Sequence, residues 1–136
     1  MIRFADVTKV YPDGTTAVGG LSLTAPTGRI TVLVGPSGCG KTTTLRMVNK
    51  MIEPTSGTIE IDGRDTGTMS ATALRRGIGY VIQSGGLFPH RTILDNIATV
   101  PLLLGWERRR ARARAMELLE RMGLAESLAH RYPRQL

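Results

Sequence analysis

The residues G35-P-S-G-C-G-K-T42 fill every fixed position of the pattern G-x-x-x-x-G-K-[ST]. Gly38 and Gly40 let the backbone turn so that successive N–H groups point inward as an anion nest. A helix opening near Lys41 adds the positive end of its dipole. Lys41 then places a charge on the β and γ phosphates of a ligand, and the Thr42 hydroxyl is suited to Mg²⁺. The stretch follows an apolar run, Ile30 to Val34, and precedes a helical pattern, which is the context such a loop requires. The residues read as a site for a nucleoside triphosphate.

The elements that must position this loop follow from periodicity and turn chemistry. I2–Y11 and T15–A25 read as two strands joined by the turn P12-D-G14. Residues 30–34 read as a short buried strand running into the loop, and a helix is expected from Lys41 to Met51, stopping before P54-T-S-G57. T58-I-E-I61 alternates as a strand closed by Asp62-Gly63, and I78-G-Y-V-I-Q83 reads as another buried strand. T92-I-L-D95 has a capping-box pattern opening a helix that Pro101 should end or kink. An arginine-rich helix and a short segment near Ser127 follow. Antiparallel strands come first and strand–helix alternation second, so the predicted class is α/β.

Composition bounds what this domain can be. At 136 residues, 41% hydrophobic and 21% charged, it is an ordinary soluble domain rather than a disordered chain. No apolar run approaches the roughly 20 residues needed to span a bilayer. A single cysteine staples nothing internally and fits a reducing compartment, and the first ten residues carry no export leader, so a cytosolic setting is expected. The net charge of +7 owes much to E107-R-R-R-A-R-A-R114. There Ala111, Ala115, Leu118, Leu119 and Met122 recur at helical spacing, and Glu117 can pair with Arg121. The arginines form either a solvated face or a surface for acidic partners, lipid headgroups or nucleic acid.

Other strings sort the alternatives. N49-K-M-I52 lacks the Asp of a guanine-reading N-K-x-D motif and falls within the first helix. Taken with V7-T-K-V-Y-P-D-G14, E53-P-T-S-G-T-I-E-I-D-G63 and I78-G-Y-V-I-Q83, the chain resembles the nucleotide-binding subunit of an ABC transporter over its whole length. The resemblance implies a P-loop NTPase of ABC type. It would comprise N-terminal antiparallel strands, part of a parallel core sheet and the start of a helical subdomain, divided as 1–83 and 84–136. It implies MgATP as ligand. Tyr11 would stack on adenine, joined by Val18, while Gly35, Pro36, Ser37, Gly38, Cys39, Gly40, Lys41, Thr42 and Thr43 would hold the phosphates. Thr42 and Gln83 would serve the metal, with Lys41 and Gln83 in the catalytic role.

Expected partners under the same resemblance are a membrane permease, met through Leu87 and Phe88 after Gln83, and a second nucleotide-binding subunit. The subunit would sit peripherally on the cytoplasmic face of the membrane, and no nucleic acid is expected. R46–G57 and G86-L-F-P-H-R-T-I-L-D-N-I-A-T-V-P-L-L-L-G-W106 look like importers of quaternary ammonium osmolytes. A nucleic-acid-associated ATPase or a regulatory nucleotide binder are the rival readings.

Several motifs of the family have no counterpart here. Q83-S-G-G-L87 carries the letters of the signature L-S-G-G-Q in the wrong flanking order, and I59-E-I-D62 does not form the apolar run that precedes the catalytic carboxylates. His90 and His130 stand where surface histidines do, not where a switch histidine would. The ending Y132-P-R-Q-L136 looks like the lead into a signature, so the resemblance implies a chain that stops inside that motif. Unpaired strand edges, self-association and no steady ATP turnover are the expected consequences.

Overall fold

The computed structural model describes residues 1–82 and 85–136. They form two compact units, Met1–Gly79 and Tyr80–Leu136.

In the first unit β1 (Ile2–Val10) and β2 (Thr16–Ala25) form the expected hairpin, with Ile2 opposite Ala25, Phe4 opposite Leu23 and Val10 opposite Thr16. The turn closes because Tyr11 N donates to Thr15 O and Gly14 N to Tyr11 O, both at 2.9 Å. β3 (Ser56–Ile61) lies along the other edge of β1, and the two-residue β4 (Arg64–Asp65) follows the Asp62-Gly63 turn. The sheet order is β2-β1-β3-β4, antiparallel throughout. On it lies α1 (Lys41–Val48), shorter than expected because the chain turns at Asn49. Phe4, Val7, Val18, Met47 and Ile59 make the core, with Met47 as the large side chain that α1 presses into it.

Two expected strands are absent from this sheet. Residues 30–34 and 78–82 make no ladder among the described residues, and Ile30 (93% exposed) and Val34 (89%) are open to solvent. An apolar run becomes a parallel strand only when neighbours supply its hydrogen bonds, and no described segment does so here. A short helix not anticipated from the sequence, α2 (Ala71–Arg76), is capped by the Ser70 hydroxyl, which accepts from Ala73 N.

The second unit is helical. Thr92 caps α3 (Ile93–Leu103) as expected, its hydroxyl accepting from Asp95 N at 3.2 Å. Pro101 falls in the last turn of α3, which ends two residues later. α4 (Arg108–Arg121) packs on α3 through Ala98, Ala111 and Ala115, all essentially buried, with Ile93, Leu94, Leu119 and Ala129 around them. Such small residues let two helices approach closely.

Two details of the arginine helix differ from expectation. Met122 is 75% exposed because α4 ends at Arg121 and the next residue leaves the helical face. Glu117 pairs with Arg114 at 2.8 Å rather than with Arg121. Arg112 is the arginine that turns inward, donating to Asp95 at 2.8 Å across the helix pair. No helix among the described residues is long and apolar enough to cross a membrane.

Candidate functional site

The glycine-rich loop reaches α1 through Gly40, which has φ +90° and serves as the helix N-cap. A Cβ at this position would stand 2.3 Å from the Ala17 carbonyl oxygen and 3.2 Å from Val18 Cγ2. Only glycine accepts both the left-handed backbone and that approach. The β2 hairpin strand therefore abuts the loop and fixes where α1 begins. Thr44 reinforces the first turn, donating from its backbone N (2.8 Å) and its hydroxyl (3.0 Å) to Gly40 O.

Around this joint lies an open cleft of about 400 Å³ lined by Tyr11, Thr16, Ser37, Gly38, Lys41 and Thr42, among others. Tyr11 is half-buried, its hydroxyl 3.4 Å from the Thr43 hydroxyl and the Lys9 ammonium 5.6 Å from its ring centroid. Thr42 is exposed at the opening of α1. Lys41 Nζ reaches back over the loop, donating to Gly35 O and Pro36 O, each at 2.7 Å, with Cys39 Sγ at 3.5 Å. Its charge thus already lies over the loop, held by neutral carbonyls that an anion would readily outcompete for the ammonium.

The remaining residues expected at the site divide in two. Cys39 is exposed, and its sulfur sits against Gly35, where a Cβ would stand 2.6 Å away. Val18 is buried in the sheet core beneath Gly40 rather than lining the cleft, so it supports the loop from below. Gln83 lies outside the described residues. The sequence reading missed Thr15, Thr16 and Ala17, which line the cleft from the hairpin. The signal was present: an antiparallel hairpin closed at Tyr11 must set these residues beside it. Asp13 braces the same turn, its carboxylate accepting from Thr15 N at 2.9 Å, and the Thr15 backbone and then hydroxyl hold it below the ordinary aspartate value.

In the second unit Leu87 and Phe88 are 48% and 46% exposed. Phe88 is held by Asn96, whose side chain accepts from Phe88 N (2.7 Å) and donates to Phe88 O, Arg91 O and Thr92 O. The Arg91 guanidinium lies 5.1 Å from the Phe88 ring centroid. His90 and His130 are exposed, as expected.

A family profile described as ABC transporter matches residues 18–136. The osmoprotectant import ATP-binding protein OsmV of Salmonella typhimurium is 48% identical over all of this chain and 37% of its own length. The carnitine transport ATP-binding protein OpuCA of Listeria monocytogenes is 47% identical over all of this chain and 34% of its own. The chain thus spans about a third of the length of these curated relatives. Among solved structures, the ATP-binding cassette MJ0796, described as a dimer in a post-hydrolysis state bound to ADP and Pi, is similar at a TM-score of 0.87 and 31% identity. That match covers 100% of this chain and 63% of that one. The mixed α/β architecture expected from the sequence is that of an ABC ATPase cassette. The chain belongs to the ABC transporter family.

Proposed function

We propose that the chain is the nucleotide-binding part of an ABC importer subunit. In this reading, binding and hydrolysis of MgATP drive uptake of a small quaternary ammonium osmoprotectant. The observation that carries the nucleotide reading is the joint at Gly40, where a left-handed glycine against the Ala17 carbonyl turns the loop into α1 beside Tyr11 and Lys41. The residues present fit an ATP phosphate chain. Loop amides and the α1 N-terminus supply donors, Lys41 supplies a mobile positive charge, and Thr42 supplies a hydroxyl at the helix start. Mg²⁺, when bound, would neutralise charge across the β and γ phosphates, with Thr42 and Gln83 as its residues in this chain. Tyr11 would stack on the base, a contact worth about 1–3 kcal/mol.

The solute class is supported by the relatives, whose names include osmoprotectant import, carnitine transport and choline transport at 48%, 47% and 45% identity. An Fe(3+) import protein of Brucella abortus follows at 43%, so the loop and core are shared more widely than the solute. A peripheral position on the cytoplasmic face of the membrane, a second nucleotide-binding subunit and a permease met through Leu87 and Phe88 belong to the same proposal. The exposure of both side chains on a loop pinned by Asn96 supports that contact.

Two experiments test it. MgATP titration of the chain and of Lys41→Ala should differ by the loss of a charge-assisted contact of roughly 1.5–3 kcal/mol, and equal affinities would refute the site. Disruption of the gene should abolish uptake of labelled glycine betaine under osmotic stress. Unchanged uptake would refute the solute class and leave the nucleotide site standing.

A further inference from the structure

The corner where α3 hands over to α4 breaks two rules of soluble surfaces at once. Leu102, Leu103 and Leu104 are consecutive and all exposed, Leu103 at 60% and Leu104 at 48%, with Val100 exposed beside them. The chain then folds back, Gly105 N donating to Leu102 O and Trp106 N to Pro101 O, both at 3.0 Å. After Glu107, the N-cap of α4, come three consecutive arginines as the first residues of the helix.

Those arginines sit against their local electrostatics. The first turn of a helix favours acidic side chains, and α4 has arginines there, with only the N-cap Glu107 acidic and its side chain making no capping hydrogen bond. Arg108, Arg109 and Arg110 are exposed and form no ion pair among the described residues; the ion pairs of this helix involve Arg112 and Arg114. The Arg110 guanidinium instead covers the Trp106 ring at 4.1 Å, and Trp106 packs half-buried against the core of its unit. One N-cap carboxylate, Glu107, and the longer-range pull of Asp95 on Arg108 do not balance three positive charges at a positive pole, and solubility does not account for three bare leucines next to them.

A leucine knuckle, an amphipathic tryptophan and a triplet of unpaired arginines together match one chemistry: apolar acyl chain below, anionic headgroup above. We propose that residues 100–110 form a docking surface for an anionic phospholipid bilayer. Arg108, Arg109 and Arg110 would meet phosphate-bearing headgroups while Leu103 and Leu104 enter the acyl boundary. The charge complementarity explains the arginines; the leucines separate a bilayer from nucleic acid, which would use the charge and leave the apolar knuckle bare. This surface does not depend on the nucleotide site.

The test is flotation of the 1–136 chain with vesicles of phosphatidylcholine alone or mixed equally with phosphatidylglycerol. Binding to the mixed vesicles should exceed binding to neutral ones at least about tenfold and fall with added salt. Each arginine replaced by Ala should weaken partitioning roughly fivefold. Leu103→Ser with Leu104→Ser should weaken it as well, with MgATP affinity unchanged in every variant. All these side chains are exposed, and a retained helical circular dichroism signal confirms folding. The single variant Arg109→Ala keeps the test decisive if the double leucine variant loses that signal. Equal binding to both vesicle types overturns the proposal. So does a Leu103→Ser, Leu104→Ser variant that floats like the wild type. Preferential capture by duplex DNA, insensitive to the leucines, would assign the surface to nucleic acid instead.

Discussion

Replacing Gly40 by Ala should damage the protein more than the same change at Gly38, though both are left-handed glycines of one loop. At Gly38 φ is +83° and an added Cβ meets nothing within 4 Å, so the variant bears only the backbone cost of about 1–2 kcal/mol. At Gly40 the same backbone cost applies, and the Cβ would also stand 2.3 Å from Ala17 O. Either β2 or the start of α1 must move, which adds crowding of about 1–3 kcal/mol. Gly38→Ala should therefore lose about 1–2 kcal/mol and Gly40→Ala about 2–5. Urea denaturation followed by far-ultraviolet circular dichroism measures both, and MgATP titration should show the larger loss at Gly40. Gly40→Ala no less stable than Gly38→Ala would refute the claim that the hairpin fixes the loop.

Three further outcomes are expected. Arg112 chiefly, then Thr92, holds the Asp95 carboxyl below its ordinary value. Its stabilising effect is therefore present above the unfolded value and lost as pH falls through the folded one. Asp95→Asn should cost about 1 kcal/mol at neutral pH, reduced by the partial exposure of the pair. By Trp106 fluorescence in urea, the deficit should vanish in acid; a deficit constant with pH would refute the role given to the ion pair. Cys39, exposed beside Lys41, should alkylate readily in the free protein and be protected by MgATP, and equal labelling rates would count against a phosphate chain lying there. The open apolar residues of 30–34 should make the purified chain self-associate, and Ile30→Lys with Val34→Lys should relieve this; a monodisperse wild-type monomer by light scattering would contradict it.

What could be read from the sequence was what neighbouring residues decide. The P12-D-G14 hairpin, the loop with its helix start at Lys41 and the Thr92 cap depend on chemistry within a few positions, and all are found. Residues 30–34 and 78–82 failed as strands because an apolar run states a wish for burial without naming its partner. The face of α4 was read correctly at Ala111, Ala115 and Leu119. It was extended too far at Met122, since helical periodicity does not say where a helix stops. Six-residue α2 has too few turns to show a period, and its Ser70 cap is seen only in the structure. The cleft was found from its phosphate side. Its hairpin side, Thr15 to Ala17, required converting a turn into a register.

The place of β1 between β2 and β3 has a consequence in time. During synthesis β2 follows β1 directly, so the hairpin can close within microseconds of emerging from the ribosome. β3 arrives only after the loop and α1 have been made, which at roughly 5–20 residues per second means seconds later. Through that interval the edge of β1 lacks its second neighbour, and a two-stranded hairpin alone is marginal, so it opens and closes until α1 and β3 arrive. Changes that slow the arrival of β3 should lower the yield of newly made protein while leaving the stability of the finished molecule untouched.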